Sequence, residues 1–220
     1  MVRIHVAHEV STIVHPTARV LETATMFGLG VDEEKRVTIL PPREIDLPLE
    51  QGGIVFITGP SGGGKSTLLR QIGLACQEIG KQVIRFDALP QLPSVSLVDV
   101  FGDDLKSTMS TLARAGLSDA FVMLRKPEEL SDGQRYRLTL AQLMHEAGKA
   151  KRAVVVIADE FGSTLDRLTA QIIARNIRKW VDREGQAFMC ATTHDDLLEA
   201  LQPDVLLWKG FGEELEVVYR

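Results

Sequence analysis

The sequence has little of what would carry it out of a reducing cytoplasm. It holds only two cysteines in 220 residues, Cys76 and Cys190. Neither belongs to a CxxC pair or a Cys/His cluster, so the usual zinc spacings are absent. Both lie in apolar segments, where buried, reduced thiols are expected. No apolar run approaches the ~20 residues of a membrane helix; runs such as Val154 to Ala158 have the length of a strand. The first residues lack the apolar core of a signal peptide. A cytoplasmic protein without direct membrane insertion is the expectation. An excess of positive charge is missing too, with 25 basic against 30 acidic side chains and a net charge of -5. The surface as a whole therefore carries no strong signal for nucleic acid or an anionic membrane. Repeats and low-complexity tracts are also absent. Aromatic residues make up only 5%, but 45% hydrophobic and 25% charged residues exclude a disordered chain.

What is present reads as one α/β domain over residues 1–220. Residues 1–50 form a β-rich segment, with strand pieces at Val2 to Val6 and Val37 to Leu40 and a short helix around Thr17 to Phe27. Ile54 to Thr58 is a β-branched strand. After it comes a glycine-rich stretch, then apolar residues at helical spacing (Leu68, Leu69, Ile72, Ala75, Cys76, Ile79) with Gly80 as a C-cap. Val83 to Phe86 is the next strand, which completes a βαβ unit and implies a parallel sheet. From 91 to 150 the pattern turns helical, with helices expected at Asp103 to Ala115, Ser118 to Arg125 and Ser131 to Ala147. Lys149 to Arg152 is a basic cluster of the kind that forms a solvated turn. The α/β pattern resumes with a strand at Ala153 to Ala158, a helix at Asp166 to Glu184 and a strand at Ala187 to Thr192. A short helix from Asp195 and strands at Val205 to Trp208 and Leu215 to Tyr219 follow. The core thus spans 51–90 and 151–220, with a small helical lobe inserted at 91–150.

Gly59-Pro60-Ser61-Gly62-Gly63-Gly64-Lys65-Ser66 matches G-x-x-x-x-G-K-[ST], the Walker A phosphate loop. Glycines let the backbone approach phosphates and turn several N–H groups inward. The helix that follows aims its positive end at the same anion. Lys65 is the candidate for the β- and γ-phosphates, Ser66 for Mg²⁺ and Thr67 for a further phosphate contact. The strand Val154 to Ala158 ends in Asp159-Glu160, which places two carboxylates at the ligand-binding edge of a parallel sheet. Asp159 is the candidate Mg²⁺ residue and Glu160 the candidate general base. ATP and Mg²⁺ are the expected cofactors.

Between these motifs stands Leu130-Ser131-Asp132-Gly133-Gln134. It resembles the LSGGQ signature of ABC ATPases, with Asp132 in place of a glycine. The family's other motifs have counterparts in the same order. Gln91 resembles the Q-loop glutamine, Ser163 to Asp166 the D-loop, and His194 the switch histidine. The resemblance covers roughly residues 45 to 210. It implies a P-loop core of ABC type and ATP hydrolysis, with Glu160, His194, Lys65 and Gln91 as catalytic residues and Gln91 also near the metal. It further implies that Ser131, Gly133, Gln134 and Asp166 contact nucleotide. In this family two protomers pair head to tail, so that the signature of one completes the Walker A site of the other. His5, His8, His15 and His145 lack such a context and read as structural.

This sequence departs from the transporter pattern in places. Phe161 and Gly162 replace the Pro-Thr type residues that commonly follow Walker B, and only Phe27 offers itself for stacking on adenine. The segments DEFGSTLDR and TTHDDLLEALQPDVLLWKGFGEELEV resemble solitary ABC-type ATPases found beside or fused to acetyltransferase-like domains. No acetyltransferase-like stretch is visible. The expectation is therefore an ATP-sandwich homodimer coupled to a cytoplasmic process through a separate effector. One alternative is the nucleotide-binding subunit of a transporter, peripheral to the membrane beside a permease. A second is a DNA-repair or chromosome-type ABC ATPase, which usually carries a long coiled coil or zinc insertion not seen here.

Overall fold

A computed structural model of the chain describes residues 1–30, 35–50 and 52–220. The expected boundary at Gln51 lies outside the described residues. The chain opens with an antiparallel ribbon of β1 (Val2–Thr12) and β2 (Lys35–Leu47), with helix α1 (Ala18–Met26) in the connection. The Thr17 hydroxyl caps α1 by accepting from the Val20 N–H. The ribbon packs over α2 (Lys65–Glu78).

The centre is a six-stranded sheet. Its strands are β3 (Gly53–Thr58), β4 (Val83–Arg85), β5 (Val155–Ala158), β6 (Ala187–Ala191), β7 (Val205–Lys209) and β8 (Leu215–Tyr219), in the order 4-5-6-3-7-8. Every pairing from β4 to β7 is parallel, and β8 closes the edge antiparallel to β7. The side-chain alternation of a strand splits the core into two layers. Ile54, Phe56, Val156, Phe188 and Cys190 face one side, with α5 (Asp132–Lys149) and α6 (Arg167–Glu184). Val55, Ile57, Val155, Met189 and Leu207 face the other, with α2 and the ribbon. Near-continuous apolar strands are what a sheet covered on both faces requires. Cys76 and Cys190 are both free and buried, one in each layer. Burial pushes the Cys76 thiol up to about 11, so it is inert at neutral pH.

Every regular element between β4 and β5 is helical: α3 (Leu105–Arg114), α4 (Ala120–Met123), α5 and three 3₁₀ turns, joined by irregular stretches. Lys151 and Arg152 are exposed in the turn after α5. There, basic side chains complement the negative helix end. A last short helix, α7 (Leu198–Leu201), follows a 3₁₀ turn at Asp195–Leu197. Several boundaries differ from the sequence expectation for local reasons. β4 stops at Arg85 because Phe86 begins a 3₁₀ turn and packs on Tyr136, ring centroids 4.9 Å apart. Ile79 is the C-cap of α2, and Gly80, at φ +79°, is the left-handed residue after it.

Candidate nucleotide site

Three adjacent parallel strands, β5, β6 and β3, deliver their C-terminal ends to one edge of the sheet. That edge is where doubly wound sheets bind ligands. From β3 comes the loop 59–64, from β5 the pair Asp159 and Glu160, and from β6, lying between them, Thr192 and Thr193. These segments line one cavity of about 560 Å³. Ser61, Gly62, Gly64, Lys65, Ser66, Thr67, Asp159, Glu160 and Ser163 all contribute to its wall.

The loop's shape follows from its glycines. Gly59 has φ +135°, and a Cβ there would meet the Lys209 carbonyl oxygen at 2.1 Å, so no other residue fits. Gly64 has φ +92° and serves as the N-cap of α2. The first N–H groups of α2 therefore open into the cavity without a side-chain cap. The Lys65 ammonium donates to the carbonyls of Gly59 at 2.9 Å and Pro60 at 2.8 Å, curling back over the loop. An anion entering the cavity meets these amides and this charge together.

Opposite the loop, Asp159 Oδ1 accepts from the Glu160 N–H at 3.0 Å. Glu160 is exposed and holds φ +49°, a left-handed conformation uncommon outside glycine and strained by about 1–3 kcal/mol. The strain is maintained from behind. The Phe161 N–H donates to the Ala191 carbonyl at 2.9 Å, and the wholly buried Phe161 ring meets Phe188 edge-on with centroids 5.5 Å apart. Gly162 follows at φ +78°. Ser66 and Asp159 bring hard oxygen donors to one cavity. That set suits Mg²⁺, which takes one or two protein ligands and completes its shell with water and substrate phosphate.

Other candidate residues stand apart from this cavity. His194 is half-buried one residue beyond the lining, its N–H donating to Thr192 Oγ1 at 3.2 Å. Asp166 caps α6, with Oδ1 accepting from the Thr169 N–H at 2.9 Å and Oδ2 from its hydroxyl at 2.6 Å. These hydrogen bonds hold its carboxyl below the usual range. Gln91 is exposed and lines a separate groove of about 670 Å³ with Phe86, Leu89, Leu92, Arg135 and Leu138. Ser131, Gly133 and Gln134 open α5 away from the cavity lining. Ser131 and Gln134 form a reciprocal capping box, at 3.4 Å and 3.1 Å. Phe27 is 74% exposed at the end of α1 and does not line the cavity.

Sequence reasoning missed several side chains that set this geometry. The Thr58 hydroxyl donates to Asp195, tying β3 to the segment after β6. Buried Gln142 donates to the Pro90 carbonyl at 2.7 Å, anchoring the backbone before Gln91. The Tyr136 hydroxyl accepts from the Gly162 N–H at 2.8 Å. None belongs to a short motif. The available signal was a polar residue inside an apolar helix or at a strand end.

A parallel sheet with a phosphate loop after its central strand and acidic residues ending a nearby strand defines a P-loop ATPase, and the family described as an AAA domain matches residues 49–201. The chain belongs to the ABC-type ATPases, as a nucleotide-binding domain that hydrolyses ATP. It is 30% identical over 224 residues to the lipoprotein-releasing system ATP-binding protein LolD of Zymomonas mobilis, covering 87% of this chain and 94% of that one. The LolD of Novosphingobium aromaticivorans is 28% identical over 231 residues, covering 90% and 99%. The macrolide export ATP-binding/permease protein MacB 2 of Aeromonas hydrophila is 27% identical over 197 residues, and the match spans only 29% of its length. Among solved structures, the fold matches the dimeric, post-hydrolysis ATP-binding cassette MJ0796 bound to ADP and Pi. The TM-score is 0.60 at 18% identity, covering 97% of this chain and 98% of that one. No helix among the described residues is long and apolar enough to cross a membrane.

Proposed function

We propose that the chain works as a head-to-tail homodimer that sandwiches two ATP molecules, each held by the Walker A loop of one protomer and the signature of the other. Residues 1–220 act as one ATPase domain, with the lobe at 91–150 carrying the signature. The observation that carries this reading is the exposed start of α5. Ser131 is exposed there, and a Cβ added to Gly133 would touch its own chain no closer than Leu165 at 3.7 Å. The fold of the protomer thus leaves room for a side chain at Gly133, and a small residue there suits the close approach of a group from outside. In this role Lys65 and the loop 59–64 hold the phosphates, Thr67 adds a phosphate contact, and Ser66 and Asp159 hold Mg²⁺. When bound, that ion neutralises phosphate charge. Glu160 takes the proton of the attacking water, and His194 positions that water.

Glu160→Gln tests the assignment. The site still binds ATP but lacks its base, and turnover falls by about 10²–10⁴. Gel filtration with ATP then shows a dimer. A variant that stays monomeric and hydrolyses at the normal rate overturns the role of Glu160 and the sandwich together.

A second reading concerns the partner. The groove beside Gln91 has an apolar wall, and the LolD relatives align over nearly their whole length. Both favour docking on a separate permease at the cytoplasmic face of a membrane. Glu160→Gln protein loaded with ATP, used as bait, separates the readings. Recovery of a permease supports the transporter subunit, and recovery of a soluble protein supports the solitary ATPase.

A further inference from the structure

Lys209 ends β7 with no solvent exposure, and among the described residues no other lysine, arginine, aspartate or glutamate is buried. Burial alone pushes its pKa down from the ordinary lysine value, and the charge of Glu214 partly opposes this. A buried ammonium is costly unless hydrogen-bonded. Here it donates to the carbonyls of Gly210 at 2.9 Å and Gly212 at 2.6 Å. The Gly210 N–H donates to the Glu214 carbonyl at 3.1 Å, closing the turn that leads into β8. A methionine would fill the same space without the desolvation cost, so packing alone does not account for a charge here.

The turn that this ammonium ties lies against the phosphate loop. A Cβ at Gly59 would meet the Lys209 carbonyl oxygen at 2.1 Å. One at Gly63 would meet the same oxygen at 2.9 Å and the Gly210 oxygen at 3.1 Å. One at Gly64 would lie 3.7 Å from Lys209 Cε and 3.9 Å from its Nζ. Three loop glycines therefore rest on one residue and its neighbour. We propose that Lys209 is a positioning residue for the nucleotide phosphates: its ammonium ties the carbonyls of Gly210 and Gly212, and the turn so held fixes the shape in which Gly59, Gly63 and Gly64 meet the phosphates. Lys65 acts from within the loop, while Lys209 acts through the loop's support.

The proposal rests on the loop as the phosphate site, and the experiment separates the two. ATP affinity is measured by calorimetry, and the ATP-induced rise in melting temperature by calorimetric scanning, for the wild type, Lys209→Met and Gly212→Ala. Lys209→Met removes two charge-assisted hydrogen bonds, and the ATP Kd rises about tenfold or more, with a smaller ATP-induced rise. Gly212→Ala meets open space but strains a φ of +58°, displacing one carbonyl that Lys209 holds. It shifts affinity the same way by a smaller factor. A lower melting temperature without nucleotide, combined with an ATP Kd within about twofold of wild type, marks a purely structural lysine and overturns the proposal. Should Lys209→Met fail to fold, Gly212→Ala decides alone, and wild-type affinity in that variant overturns it. A wild-type protein that does not bind ATP refutes the phosphate site itself.

Discussion

The Tyr136 hydroxyl accepts a hydrogen bond from the Gly162 N–H at 2.8 Å. Tyr136 sits one turn into α5, the helix that Ser131 caps, and Gly162 lies two residues beyond Glu160. One hydrogen bond thus joins the start of the signature helix to the segment that aims the candidate base. Burial pushes the phenol's pKa well up, so the hydroxyl keeps its proton at any physiological pH. Tyr136→Phe leaves the Gly162 N–H without a partner, which costs about 1–3 kcal/mol of stability. The expected kinetic signature is a kcat reduced on the order of tenfold with KM for ATP little changed, since the loop 59–64 is untouched. Steady-state ATPase assays and urea melts check both. A variant with wild-type kcat shows that the bond has only a structural role.

Glu160 carries a backbone strain that its side chain does not require. At φ +49° a glycine is at ease and a glutamate is not. Glu160→Gly removes the candidate base and relieves the strain together. ATPase activity falls by about 10²–10⁴, while the folded protein becomes more stable by about 1 kcal/mol. Chemical denaturation reads the second effect. Lower stability in this variant means that the added chain entropy of glycine and the lost contacts of the Glu160 side chain outweigh the strain.

The class of fold was legible because its signals are local. A glycine loop between a strand and a helix, and a strand ending in Asp159-Glu160, fix the topology by spacing. Phe161 was legible only as a departure from pattern. Its reason is three-dimensional: it is buried edge-on against Phe188, which is 27 positions away in the chain. Tyr136, Gln142 and Lys209 went unread for the same reason, since each acts on backbone carbonyls or amides that sequence spacing does not reveal. Lys209 did leave a trace, a charge ending the apolar run Val205 to Trp208. Such a lysine normally marks an exposed strand end, and here the following turn folds over it.

The shared-site arrangement has its own test. Ser131→Arg blocks the signature of one protomer, and Lys65→Ala disables the Walker A loop of another. Each variant alone forms only defective sites. A mixed dimer pairs one intact Walker A loop with one intact signature, so turnover returns to roughly a quarter of wild type at equal mixing, by counting one good site of two in half the dimers. Persistent inactivity, with heterodimers demonstrated by differential tagging, removes the composite site.

His145 gives the fold an acid-side dependence. Its ring stacks on Phe101 at 4.4 Å, its Nδ1 faces Asp103 at 3.2 Å, and its buried Nε2 has no protein partner. Burial first, then the charge of Lys149, pushes its pKa below the ordinary 6.5, and Asp103 and Glu146 oppose them. Well above pH 6.5 the imidazole is neutral in both folded and unfolded chains and contributes no pH dependence. As pH falls below that value the unfolded chain takes up a proton that the folded chain resists, so stability drops. The protein should melt at a lower temperature at pH 5.5 than at pH 7.5. In His145→Gln, which keeps a polar group but cannot titrate, that difference should shrink. Scanning calorimetry at the two pH values measures it, and an equal difference in the variant places the titrating group elsewhere.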